Sequence, residues 1–596
     1  MNIGELFEYI IARSIQAAVK ARKDIEYNEN NKILVVIPAR GYSKNIPRKN
    51  LRLLGEKPLI YYSIDIAKSS KYVDDVVVST EDSEIASIVE KYGTSVVKRP
   101  VELATDETLL DTVIYDAMLQ KEKQAFDEYD IVITIQPSSP LLKTETLDKA
   151  IEKFADFNID SVISVVDDKN LRWGFDDENG RYFPFYSERL YRDLLPKTFK
   201  ETGGILATRR NFVTETSRLG LNIDLIEISR EESVEINTYE DWWIANNYLN
   251  KIKIAFVVDA YDQIGTGHMY RCLSMASKLV FHDVVFFINR THQLGIDIIE
   301  GYNYKYQTYG GKSELLGLFE QFDPKIIIND VGNTSYEYMV DLTNKGYYII
   351  NFEDFGSGSD LADLVFDSLY EHEGDEKFFV GHEYYILKDE FYLHQPKIIT
   401  NDVKTVLIDF APNDTLNLSQ KVLDALLASG FSGRINVILG SGHENFEELS
   451  AKYELMQNVQ FYTTVNSISD FMISADVIFT SGGRIMYQVC SLGVPCIVIC
   501  KDEREEKNLF GSPEHGFVNM GLGSYLTQED IIEQFNIVAN DFELRQAMNN
   551  KMLEIDLKHG FEECWSVVKS KYREFNLDNA KSVSYTHLTL PTNSLV

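Results

Sequence analysis

The stretch Ile33-Leu34-Val35-Val36-Ile37-Pro38-Ala39-Arg40-Gly41-Tyr42-Ser43-Lys44-Asn45-Ile46-Pro47-Arg48-Lys49-Asn50-Leu51 joins an apolar run to a turn-rich loop dense in cations. An unbroken apolar run of this length, mostly β-branched, reads as a strand of a parallel sheet, buried on both faces. The loop then falls at the strand's carboxyl end, where ligands of such sheets gather. Between Arg40 and Arg52 stand five basic residues and no acidic one, in a chain of net charge −33. Local field rather than net charge decides where an anion docks, so the loop has the layout of a triphosphate cradle.

Outward from this loop, Lys32 to about Lys251 alternates apolar runs with helical stretches. Strands are expected at Ile33–Ile37, Val76–Ser79, Ile131–Ile135 and Val162–Val166, and helices at Leu59–Ala67 and Asp82–Lys91. The alternation implies an α/β domain with a mainly parallel sheet covered on both faces. A new strand starts at Lys253-Ile254-Ala255-Phe256-Val257-Val258-Asp259 and leads through Gln263-Ile264-Gly265-Thr266-Gly267-His268 into a helix. Further strands at Val284–Ile288, Ile326–Asn329, Tyr347–Phe352, Val406–Phe410, Ile435–Leu439, Val477–Ser481 and Cys496–Cys500 suggest two successive Rossmann-like halves.

The division expected is an N-terminal helical extension over 1–31, a first domain over 32–250, and two halves over 251–398 and 399–581. The tail 582–596 has no Lys, Arg, Asp or Glu; it reads as non-native or disordered and is set aside. No segment approaches the roughly 18 apolar residues needed to cross a bilayer, so no membrane partner and a cytoplasmic location are expected. Five cysteines without Cys-x-x-Cys spacing support neither a disulfide framework nor a zinc site. One compact basic loop on an acidic chain argues against nucleic-acid binding, which needs a broad basic face.

The loop resembles the signature of the acylneuraminate cytidylyltransferases, the CMP-sialic acid synthetases, whose members read close to I-P-A-R-G-G-S-K-x-I-P-x-K-N. It departs at Tyr42, where the family has Gly. Three more segments resemble family motifs in the same order: Val78–Asp82, Lys98-Arg99-Pro100-Val101-Glu102-Leu103-Ala104, and Thr134-Ile135-Gln136-Pro137-Ser138-Ser139-Pro140-Leu141. The resemblance implies transfer of CMP from CTP to a nine-carbon 2-keto acid (a nonulosonic acid of the sialic, legionaminic or pseudaminic type), with release of pyrophosphate. Lys49 and Arg40 would be catalytic, Arg40, Lys44, Lys49, Asn50 and Arg99 would hold CTP, and Gln136 and Ser138 would contact the sugar. The family's Asp-Ile-Asp-Thr, which holds Mg²⁺, is here Glu235-Ile236-Asn237-Thr238. A metal requirement through Glu235 and Asn237 is expected, with affinity weakened by the amide. A homodimer formed through this domain is also implied.

Gln263–Leu273 resembles the UDP-sugar hydrolase of pseudaminic acid biosynthesis, a two-Rossmann protein of glycosyltransferase-B type. In that likeness Gly265 and Gly267 allow close approach of a UDP-amino sugar and His268 is the base for water, its neutral form favoured at a helix start. Ala475–Pro495 resembles the nucleotide-binding half, with Gly482 and Gly483 offering amides to the diphosphate and Gln488 near the ribose, where the family has Glu. The Gly-Gly-x-Asp expected after Val406–Phe410 is replaced by Ala411-Pro412-Asn413-Asp414. Three readings of this half stay open: hydrolase, glycosyltransferase, or a binding and scaffolding module without turnover. Hydrolysis and CMP transfer are not consecutive steps in the implied pathway, so fusion would co-localise a complex that includes a nonulosonic acid synthase.

Overall fold

The computed structural model describes residues 31–261, 265–370, 376–410, 414, 416–439, 446–463, 465 and 467–588. They belong to two compact units, Met1–Lys251 and Ile252–Val596. The helical extension expected before Asn31 and the Ala411-Pro412-Asn413 turn lie outside the described residues.

The first unit is built on a seven-stranded sheet in the order Ile223–Glu227, Ser161–Asp167, Phe199–Arg209, Ile131–Thr134, Ile33–Pro38, Asp75–Thr80, Ser95–Lys98. All pairings are parallel except those of Phe199–Arg209, which runs antiparallel to both its neighbours. The period of two in a strand sends alternate residues of the opening run to opposite faces. Ile33, Val35 and Ile37 join one core with Ile60 and Ile64, while Leu34 and Val36 join another with Ile114 and Met118. Asp82 caps the following helix, Ser83–Lys91, by accepting from the amides of Glu84 and Ile85, which halts the Asp75–Thr80 strand beside the cationic loop. A separate two-stranded hairpin, Trp173–Asp176 with Arg181–Pro184, leaves Trp173, Phe175, Tyr182 and Phe183 exposed.

The second unit holds two all-parallel sheets. Its first runs Tyr306–Tyr309, Asp283–Asn289, Lys253–Val258, Ile326–Asp330, Tyr348–Phe352, Leu364–Asp367, Phe378–Val380. Its second runs Val459–Tyr462, Arg434–Ile438, Thr405–Asp409, Val477–Thr480, Cys496–Cys500, Val518–Leu522. Both start from the third strand and reverse after the first, the strand order of a dinucleotide-type fold. The unit is thus a pair of Rossmann-like halves, the glycosyltransferase-B layout.

Two details differ from the division read in the sequence. The long helix Gly560–Leu588 leaves the second half and packs on the first: Phe561, Cys564 and Val568 share a core with Ile254, Phe286 and Ile350, and Tyr348 meets Tyr572 edge-on at 5.3 Å. The same helix continues through residues 582–588, read above as part of a non-native or disordered tail, because neither Gly nor Pro breaks it before Pro591. Residues 589–596 lie outside the description. Among the described residues no helix is long and apolar enough to cross a membrane.

Candidate functional site

Three motifs of the first unit converge because each carries an apolar residue into one cluster. Ile46 from the cationic loop, Leu141 from the Gln-Pro segment and Ile236 from Glu-Ile-Asn-Thr pack together with Leu54, Leu59 and Ala245. Their polar neighbours are thereby brought face to face. The Lys49 ammonium donates to the Ile236 carbonyl at 2.9 Å, the Asn45 amide donates to the Asn237 carbonyl at 3.1 Å, and the Ile236 amide donates to the Ser138 carbonyl at 2.8 Å. Gln136 Nε2 and Glu235 Oε1 both face the Cα of Gly203, 3.1 and 3.3 Å from where a β-carbon would sit.

Buried Asn50 fastens the loop by donating to the Arg40 carbonyl at 2.9 Å. Gly41 is required by close approach: a β-carbon there would lie 2.4 Å from Asp82 Oδ2. Its amide donates to Glu81 Oε1 at 2.7 Å, and the other oxygen of Glu81 stands 4.0 Å from Arg99. Arg99 is buried and held by Ser79, donating to its carbonyl at 2.7 Å and to its hydroxyl at 3.2 Å. Tyr42, where the family has Gly, points to solvent at 63% exposure and disturbs none of these bonds. Burial lowers the Lys49 ammonium from the ordinary lysine range, against the attraction of Glu235 and with help from Arg40.

The loop's outer cations have partners that the local sequence does not disclose. Asp106 accepts from Arg40 at 2.6 Å and lies 3.0 Å from Lys44; these two cations hold its carboxyl below the usual range. Arg48 pairs with Asp82 at 2.8 Å and with Glu84. The ensemble therefore gathers Arg40, Lys44, Lys49, Asn50 and Arg99 with Gln136, Ser138, Glu235 and Asn237 at one end of the sheet.

In the second unit His268 stands at the start of the Gly267–Lys278 helix, after Gly265 in a left-handed turn with φ 78°. The side chain is buried, drawn inward by a carboxylate. Its Nδ1 lies 2.5 Å from Asp330 Oδ1 at the end of the Ile326–Asp330 strand. Arg271, one turn further on, donates to both oxygens of Asp330 at 2.8 and 2.7 Å and also to Glu353. Arg484, from the second half, donates to the other oxygen of Glu353. Despite full burial, Arg271 and His268 hold Asp330 well below the usual carboxylate range, and Arg271 and Arg484 hold Glu353 down to about 2. Nearby, Asp259 and His292 pair at 3.0 Å; burial raises the Asp259 carboxyl, opposed by His292 and His268.

The Gly482 amide, expected to meet a diphosphate, instead donates to Glu505 Oε2 at 3.1 Å. Glu505 is buried, and also accepts from the Lys501 amide and lies 3.0 Å from its ammonium. An internal carboxylate thus fills that anion position. Gly483 and Gln488 are half-buried, Gln488 on the Ile485–Leu492 helix. Asp330 and Glu353 carried no motif, and Arg484 lay inside the Ala475–Pro495 segment but was given no role beside its glycines; a carboxylate closing a buried strand was the available signal for Asp330.

A family model described as cytidylyltransferase matches residues 34–172. The CMP-N,N'-diacetyllegionaminic acid synthase of Legionella pneumophila is 33% identical over 233 residues, covering 38% of this chain and 100% of that protein. The post-translational flagellin modification protein B of Campylobacter coli is 30% identical over 219 residues, covering 36% and 93%. Among solved structures, MurG of Acinetobacter baumannii aligns with 54% of this chain and 99% of its own, at 13% identity and a TM-score of 0.41. With its four motifs gathered around one strand end and a full-length relative sharing a third of its residues, the chain belongs to the cytidylyltransferase family and is a nucleotidyltransferase.

Proposed function

We propose that the first unit transfers CMP from CTP to the anomeric hydroxyl of a nine-carbon 2-keto acid, releasing pyrophosphate. The observation that carries this reading is the packing of Ile46, Leu141 and Ile236, which brings a triphosphate-sized group of cations against the Gln136–Ser138 and Glu235–Asn237 segments. Phosphoryl-type transfer depends on positioning and charge neutralisation more than on covalent help. Lys49 and Arg40 would neutralise the triphosphate, Arg99 and Asn50 would fix its approach, and Gln136 with Ser138 would orient the acidic sugar. Among the described residues no three His, Cys, Asp or Glu side chains cluster as a metal site. One carboxylate from Glu235 and one amide from Asn237 nonetheless suit Mg²⁺, which takes one or two protein ligands and completes its shell with phosphate and water. When bound there it would supply charge neutralisation beside Lys49.

The test is CTP-dependent pyrophosphate release against a panel of sialic, legionaminic and pseudaminic acids. Release with none of them would refute the reading. The exposed aromatic hairpin supports self-association of the first unit: an isolated two-stranded hairpin is marginal in water, and a second copy would cover Trp173, Tyr182 and Phe183. Light scattering of Tyr182→Glu against the parent chain checks it.

For the second unit the proposal is hydrolysis of a UDP-amino sugar, with His268 as base oriented by Asp330 through Nδ1. His268→Asn in the full chain should keep UDP binding and lose UDP release by about two to four orders of magnitude. The burial of His268 favours a second reading, a nucleotide-sugar-binding module without turnover, since water has little access to the ring. Wild-type protein that binds UDP yet releases none from UDP-amino sugars would decide for it.

A further inference from the structure

We infer that Arg484 is the anion receptor of the second unit, the guanidinium that takes the phosphate of a phosphorylated-sugar ligand beside His268 in exchange for Glu353. This deepens the nucleotide-sugar reading of that unit and rests on it.

Four observations converge on this residue. The Gly482 amide is closed to a phosphate by buried Glu505, so the Gly-Gly turn cannot serve through that amide without expelling a carboxylate held by three donors. Arg484 follows the same turn, and its side chain spans to the other half of the unit. There its guanidinium lies over Gly267: a β-carbon at Gly267 would sit 2.2 Å from Arg484 Nη1. A cation therefore stands one residue from the proposed base, on the side the glycine leaves open.

The pairing also makes Arg484 the exchangeable member of its network. Asp330 is fully buried and Arg271 and Glu353 nearly so, whereas the Arg484 side chain is 23% exposed. Arg271 binds both oxygens of Asp330 and one of Glu353; among the described residues the Arg484 guanidinium binds the other oxygen of Glu353 alone. If Arg484 turns to a ligand, Glu353 keeps Arg271, and no buried charge is orphaned. Removing Arg271 would leave two carboxylates without their main partner.

Finally, Glu353 is held in place at some conformational expense. It is a non-glycine residue in the left-handed region, φ 51°, a conformation that persists where surrounding structure fixes it. The next residue does so: Asp354 accepts from the Thr334 amide and hydroxyl and from the Asn351 amide. Glu353 is thus presented to both arginines at once. A guanidinium offers a planar fork matched to phosphate as well as to carboxylate, so the two anions compete for one receptor.

The experiment titrates UDP calorimetrically into the full chain, with the first unit saturated by CTP and no acidic sugar present. Wild type should bind UDP, Arg484→Gln should weaken it at least thirtyfold, and Arg484→Lys should fall between. Glu353→Gln, which removes the competing anion, should tighten UDP severalfold. Thermal melting that keeps the second unit's transition shows that each variant is folded, and pyrophosphate release by the first unit, unchanged in all of them, shows that the substitutions act within the second unit alone. UDP binding within twofold of wild type in Arg484→Gln, or weakened binding in folded Glu353→Gln, would overturn the inference while leaving the nucleotide-sugar reading intact. No UDP binding by wild type would overturn that reading and the inference with it.

Discussion

Both units set arginines against carboxylates, but they do so in different surroundings. In the first, Arg40, Lys44 and Arg48 meet Asp106, Asp82 and Glu84 on side chains that mostly face water. Such solvent-screened pairs contribute little and can be traded for a polyphosphate. In the second, Arg271, Asp330 and Glu353 are sealed from solvent. There the loss of one partner strands the others in a medium that cannot solvate them. The contrast teaches that the count of charges in a site says less than who else could satisfy them.

The largest effect expected from this contrast is on the sealed side. Arg271→Leu should lower the stability of the second unit by about 3–5 kcal/mol, read as an earlier denaturant transition with cytidylyl transfer preserved. A change below 1 kcal/mol would mean that the network relaxes as freely as a surface pair. On the open side, Lys49→Ala should reduce pyrophosphate release by about two to three orders of magnitude with melting unchanged. Half of wild-type activity in that variant would remove Lys49 from the chemistry.

Acid should separate the units next. The carboxyl of Glu353 is depressed to about 2, so its stabilisation is fully present above the unfolded value of roughly 4.3 and is lost as pH falls from there through about 2. Asp330, also depressed, acts in the same direction. Denaturant melts from pH 6 to 2 should show the second unit's transition moving within that window, and Glu353→Gln should flatten the part due to that residue. A transition that moves instead between pH 5 and 7 would point to histidine.

Two smaller effects sharpen the open side. Asn237→Asp should lower the Mg²⁺ concentration needed for half-maximal activity severalfold, by adding a second carboxylate; an unchanged titration would exclude this position as a ligand. Asp106→Asn should lower the KM for CTP by about two- to fivefold, the scale of an exposed ion pair, since Arg40 and Lys44 would no longer be shared. A raised KM would make Asp106 a helper of nucleotide binding rather than its competitor.

The central strands were legible because burial on both faces demands unbroken apolar runs: Ile33–Pro38, Lys253–Val258 and Cys496–Cys500 could be read directly. Edge strands such as Tyr306–Tyr309 and Phe378–Val380 are short and half-buried, so no such run marks them. Phe199–Arg209 was hidden for another reason: Gly203 and Gly204 and its charged ends break the pattern where its register slips between Glu201 and Leu206. In the first site, arginines and lysines cluster in sequence because one loop does much of the work. The second site is assembled from residues 268, 271, 330, 353 and 484, and only folding brings such distant positions together. Glu505 shows the complementary limit, since nothing in the Gly-Gly pattern tells that its first amide is already taken.

The helix Gly560–Leu588 has a consequence in time. It completes a core whose strands begin at Lys253, so a ribosome delivers those strands long before the segment that covers them. At roughly 5–20 residues per second, the uncovered surface around Ile254, Tyr348 and Ile350 would wait on the order of ten seconds or more for Phe561, Cys564 and Tyr572. The first unit is complete by then, and the second half of the second unit emerges in the interval. During synthesis, the first sheet of the second unit is therefore the last part of the molecule to close, and the one most exposed to chaperones and to misassembly.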